Sequence, residues 1–174
     1  GVSRLVKRAL TGELDAEPEA ALFERGYARF QQHYAELVAH RSRPYPGVVD
    51  GLNALKTAGF HLACITNKAE RFTLPLLAQL KLRDYFELVL SGDSLPKRKP
   101  DPLPLLHACQ HFGIAPAQGV LVGDSLNDTQ AARAAGMPVI CVTYGYNRGN
   151  DVRTLNPDAV VDSLAAVPAL LARA

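Results

Sequence analysis

Cysteine, net charge and long apolar runs are all scarce in this 174-residue chain, and each scarcity closes off a class of protein. Three cysteines, Cys64, Cys109 and Cys141, are too few and too odd in number for a disulfide scaffold. Cys64 and Cys141 lie inside apolar runs and read as buried free thiols. Unbridged thiols suit a reducing compartment, so a cytoplasmic location is expected. A net charge of +2 offers no electrostatic footprint for a nucleic-acid or membrane partner. The longest apolar runs fall well short of the roughly 20 residues that cross a bilayer. The opening "GVSRLVKRALTGELD" has no long apolar stretch, so it does not read as a signal peptide. With 48% hydrophobic and 21% charged residues, the composition is that of one ordinary domain, or a domain with an appendage.

What is present changes texture part-way along. Over residues 1–43, Phe23, Tyr27, Phe30, Tyr34, Leu37 and Val38 recur at three- and four-residue steps, which predicts helices with an aromatic stripe packed on another element. "RPYPGV" at 43–48 breaks this pattern with two prolines and a glycine, and residues 44–47 read as a hinge. Beyond it, short apolar runs at 60–66, 86–91, 119–123, 138–145 and 159–161 alternate with amphipathic stretches near 47–58, 69–82, 102–112, 126–135 and 163–173. That alternation predicts an α/β fold, a parallel sheet with helices on both faces. Ligands of such sheets bind at the carboxyl ends of the strands. The residues there are Thr66-Asn67-Lys68, Ser91-Gly92-Asp93, Gly123-Asp124-Ser125 and Thr143-Tyr144-Gly145.

One tetrapeptide, "GDSL", appears twice, at 92–95 and 123–126, but only the second copy is followed by a further acid, Asp128. Asp124 and Asp128 lie about one helical turn apart on one face. Two carboxylates so placed repel unless a cation intervenes or one is protonated. Magnesium favours such hard oxygen ligands and takes only one or two carboxylates beside a phosphate. Alternatively, Asp124 and Ser125 cap the helix and Asp128 complements its dipole. Lys99, in the proline-bounded "PKRKPDP", either belongs to a solvated basic loop or is directed at the strand ends as a point charge for phosphate. Thr66 and Asn67 either cap the next helix or supply a hydroxyl and N–H groups to an anion.

Together and in this order, "ITNK", "KRKPDP" and "GDSLND" resemble the second, third and fourth motifs of the haloacid-dehalogenase-like phosphatases. "RPYPGV", "GDSLPKRKPDP" and "TYGYNRG" are similar, more narrowly, to the bacterial phosphoglycolate phosphatases, and residues 1–43 to the latter part of a small helical cap. The resemblance implies a Rossmann-type core over 48–174. Thr66, Asn67 and Lys99 would bind the transferring phosphoryl group, and Asp124 and Asp128 would hold Mg2+. It implies a small phosphorylated substrate, 2-phosphoglycolate, cleaved to glycolate and phosphate through an aspartyl-phosphate by a monomer or homodimer. Tyr144, Tyr146, Asn147 and Arg148 either border the substrate or form a packing loop. The five histidines fall away from the strand ends.

The family's nucleophile lies in a D-x-D-G-T motif on the central strand, and no D-x-D occurs anywhere in this sequence. That strand would lie between those at 60–66 and 119–123. The expectation is therefore a C-terminal portion of a phosphatase, inactive alone, with two inner strands left without a neighbour. Rival readings are a sister phosphatase or phosphomutase acting on a sugar phosphate, a haloacid dehalogenase, a "GDSL" serine esterase and a non-catalytic module binding phosphate and metal. The dehalogenase needs no metal acids. The esterase needs a late histidine, and the last here is His111.

Overall fold

The computed structural model describes residues 2–13, 15–147, 149 and 151–172. The chain divides into two compact units, Gly1–Ser42 and Arg43–Ala174. In the first, α1 (Val2–Thr11) packs on α2 (Ala20–Leu37). The aromatic stripe exists but is half-buried, and no residue of α2 is fully buried. Its rings stack on each other one turn apart, Phe23 on Tyr27 at 5.5 Å and Phe30 on Tyr34 at 5.3 Å.

The second unit runs α3 (Val48–Thr57), β1 (Ala63–Ile65), α4 (Glu70–Gln79), β2 (Leu88–Leu90), α5 (Leu103–Phe112), β3 (Leu121–Gly123), α6 (Leu126–Ala135), β4 (Val139–Val142), β5 (Ala159–Val161) and α7 (Val167–Leu171). The predicted alternation is present, with strands shorter than the apolar runs that announced them. At β1 the run's first residues, Phe60 and His61, are exposed, and the ladder extends only from Leu62 to Thr66. All strand pairs are parallel. Along β4 the side chains alternate between two cores. Val139 and Cys141 pack with Leu105 and Cys109 of α5 and Ala131 and Ala132 of α6. Ile140 and Val142 pack with Leu55 of α3 and Val167 of α7. Helices therefore cover both faces. The thiols are free, with Cys109 and Cys141 buried, but Cys64 is only half-buried, a correction to the sequence reading. Among the described residues no helix is long and apolar enough to cross a membrane.

The strands form two sheets, β1–β2 and β3–β4–β5. The Thr66 N–H donates to the Leu90 carbonyl and the Leu62 carbonyl accepts from the Glu87 N–H. Since alternate residues of a parallel strand serve alternate neighbours, the backbone groups of Ala63 and Ile65 face away from β2. The Leu121 N–H donates to Pro138, so Val120 and Val122 likewise face away from β4. Thus the strands at 60–66 and 119–123 are not paired with each other, as the missing D-x-D strand led us to expect. They are stitched only by side chains. Ile65 joins the α5–α6 core, and Leu62 touches both the Leu52 and the Leu55 clusters of α3.

Candidate active site at the carboxyl ends of the strands

Lys99 is the residue that joins the two sheets. Its side chain is only 10% exposed, and its ammonium donates to the Ile65 carbonyl at 2.6 Å and to Asp128 Oδ1 at 2.7 Å. The first acceptor is on the β1 edge that β2 leaves unused; the second belongs to the first turn of α6. An ammonium has three N–H donors, so one remains for a further acceptor.

Asp128 is 7% exposed on its side chain. Its Oδ2 accepts from the Ser125 hydroxyl at 2.6 Å and from the Ser125 and Asp124 N–H groups at 3.1 and 3.2 Å. Burial pushes this carboxyl up, but the charge and hydrogen bond of Lys99, with Ser125 and Asp124, outweigh it and hold the group below the usual carboxylate range. Helix capping, left open by the sequence, is therefore realised at Asp128. The cation beside Asp128 is a lysine that stands 29 residues earlier in the chain. Gly123 is required here, since a Cβ on it would stand 2.5 Å from that of Asp128.

Asp124 is half-buried and faces the turn after β4, where its Oδ2 accepts from the Tyr146 N–H at 2.5 Å. Its Oδ1 has no protein partner among the described residues. Magnesium, satisfied by one or two carboxylates with water and phosphate, fits this donor set. Asp124 offers an open oxygen, and Asp128 Oδ1, which accepts one bond from Lys99, keeps a lone pair for a further contact. No group of three metal-ligating side chains occurs among the described residues. The nearby Cys141 thiol is pushed up to about 11 by burial and by the charges of Asp128 and Asp124, and stays protonated.

Thr66 and Asn67 stand where β1 ends. The Thr66 hydroxyl accepts from the Lys68 N–H at 3.2 Å, and the Asn67 amide donates to the Lys99 carbonyl at 2.7 Å. Asn67 Oδ1 is buried without a protein partner. All five predicted site residues thus lie at one end of the strands. The sequence did not single out the Ile65 carbonyl, the Ser125 hydroxyl or the Tyr146 N–H as partners; backbone groups leave no letter to read. Of the four residues that either border the substrate or form a packing loop, Arg148 lies outside the described residues, and Tyr146 is 89% exposed. His61 pairs with Glu87 at 2.9 Å at the opposite ends of the strands.

A family model of haloacid dehalogenase-like hydrolases matches residues 8–142. The chain is 66% identical, over its whole length and 77% of the relative's, to a phosphoglycolate phosphatase of Thiobacillus denitrificans. It belongs to the haloacid dehalogenase-like hydrolases. A second phosphoglycolate phosphatase, from Nitrosospira multiformis, is 59% identical over 94% of this chain and 72% of its own. Among solved structures, that of a predicted phosphoglycolate phosphatase from Haemophilus somnus 129pt superposes with a TM-score of 0.91 at 34% identity, covering 98% of this chain and 76% of the other. The three stretches that carried the haloacid dehalogenase-like resemblance, 65–68, 97–102 and 123–128, are those that meet around Lys99.

Proposed function

We propose that this chain is the larger part of a magnesium-dependent phosphatase that hydrolyses 2-phosphoglycolate to glycolate and phosphate. The observation that carries the reading is the Lys99 ammonium, held by Ile65 and Asp128 at the strand ends with one N–H still to give. That donor, with the Thr66 hydroxyl, the Asn67 side chain and N–H groups of the turn after β1 other than those of Lys68 and Glu70, would bind phosphoryl oxygens. Asp124 would ligate Mg2+ directly, and Asp128 would support it while orienting Lys99. The ion, when bound, offsets charge on the phosphoryl group. The substrate class is supported by the relatives' names.

In this reading the attacking aspartate, which forms the aspartyl-phosphate, arrives on a strand that pairs with the open edges of β1 and β3 and is not among these 174 residues. Residues 1–43 belong to the cap, 44–47 to the hinge and 48–174 to the core. The test is phosphate release from 2-phosphoglycolate and a panel of sugar phosphates, using protein from the complete coding sequence, beside calorimetry of this chain with Mg2+ and phosphate. Preference for 2-phosphoglycolate, lost without Mg2+, is the expected result. A better sugar-phosphate substrate would overturn the substrate, and metal-independent turnover the ion.

A further inference from the structure

The first "GDSL", at 92–95, has no place in that chemistry, yet its contacts are aimed at the turn that follows β1. The Gly92 N–H donates to the Lys68 carbonyl at 2.8 Å. A Cβ on Gly92 would overlap the Asn67 carbonyl group, lying 2.7 Å from its carbon, so no residue with a side chain fits without moving Asn67. The Asp93 carboxylate accepts from the Glu70 N–H at 2.8 Å, at a helix start whose own N-cap, Ala69, has no side chain to do so. Ser94 adds a hydroxyl contact to Glu70 at 3.4 Å. The backbone of Asn67, Lys68 and Glu70 is therefore held by Gly92 and Asp93 of the neighbouring strand end, and Ser94 touches the Glu70 side chain.

We infer that Gly92 and Asp93 are positioning residues, a clamp that sets the Thr66–Glu70 turn and, through the Asn67 amide, the Lys99 loop. This deepens the proposed function, since it rests on that turn and Lys99 being the phosphate site. Anion recognition by backbone N–H groups depends on their direction. A displacement of about 1 Å at Asn67 is enough to weaken it by tenfold or more.

The test uses this chain, inorganic phosphate as the probe, and amide hydrogen exchange over 66–70. Gly92→Ala is expected to weaken phosphate binding about tenfold or more and to speed exchange in that segment, leaving exchange in β4 unchanged. If Gly92→Ala does not fold, the Asp93 pair decides. Asp93→Ala removes both the cap and a negative charge; the lost charge alone would strengthen anion binding. Weaker binding in Asp93→Ala, restored in Asp93→Asn, which keeps the acceptor, therefore isolates the geometric role. Folded Gly92→Ala or Asp93→Ala with wild-type exchange at 66–70 would overturn the clamp. Failure of the wild-type chain to bind phosphate would instead overturn the functional reading, and the exchange result would still decide the clamp.

Discussion

The same four letters, Gly-Asp-Ser-Leu, end two strands of one fold and do different work. In the copy at 92–95 the aspartate turns to the adjacent helix and caps it. In the copy at 123–126 the aspartate keeps one oxygen open, because Asp128, four residues later, has already taken the N–H groups at the start of α6. Each glycine is there because another part of the chain passes where a Cβ would be. What separates the copies is the company they keep. Asp128 and Lys99 make the second a charged, half-enclosed corner, while the first remains an exposed turn. A short motif thus specifies a shape, a close-packed turn with a carboxylate, and the neighbours decide its chemistry.

The comparison breaks first at Lys99. Lys99→Ala leaves Asp128 buried without its cation, and truncating one member of a buried pair costs about 3–5 kcal/mol. A loss of that size in the unfolding free energy obtained from urea titration is expected, partly recovered when Asp128→Asn is added, since the amide is neutral and still accepts from Ser125. Next comes the contrast between the two aspartates. Asp124→Asn should lower magnesium-dependent turnover of the complete enzyme by about a hundredfold or more with little change in stability, whereas Asp93→Asn should stay within a few-fold. Equal losses in both would erase the distinction. The smallest effect lies away from either copy. Asp158 accepts from the Val139 N–H at 2.7 Å and from Arg133 at 2.9 and 3.1 Å, and those bonds hold its carboxyl below the usual range. Its contribution is fully present above the unfolded value of about 3.9 and is lost as pH falls from there through the lower folded value. Melting curves of wild type and Asp158→Asn should therefore differ modestly at pH 7 and converge as acid protonates the folded-state carboxyl.

The sequence revealed the alternation of strands and helices because β4 and its neighbours are apolar on both faces, and the punctuation between them is sharp. Four of the five candidate residues, Thr66, Asn67, Asp124 and Asp128, stood out because polar letters interrupt the apolar runs at strand ends, and Lys99 because prolines bound its loop. The sequence did not reveal the ion pair between Lys99 and Asp128, since periodicity carries no information across 29 residues and an intervening helix. Nor did it distinguish capping from metal binding at Asp128, because both call for the same carboxylate at the same position. The cap that Asp93 places on α4 was hidden for a related reason. Helix starts are read from their own preceding residue, and here the acceptor comes from the next strand over.

Lys99 holds a carbonyl of one sheet and a carboxylate anchored beside the other, with no ladder hydrogen bonds between the two. It therefore acts as a rivet across a seam. Any widening of that seam must pull its ammonium from both oxygens before the helices on either face begin to part. The ammonium is thereby also a gauge of whether the two halves are correctly spaced, since a poorly assembled molecule could not offer it both oxygens at once.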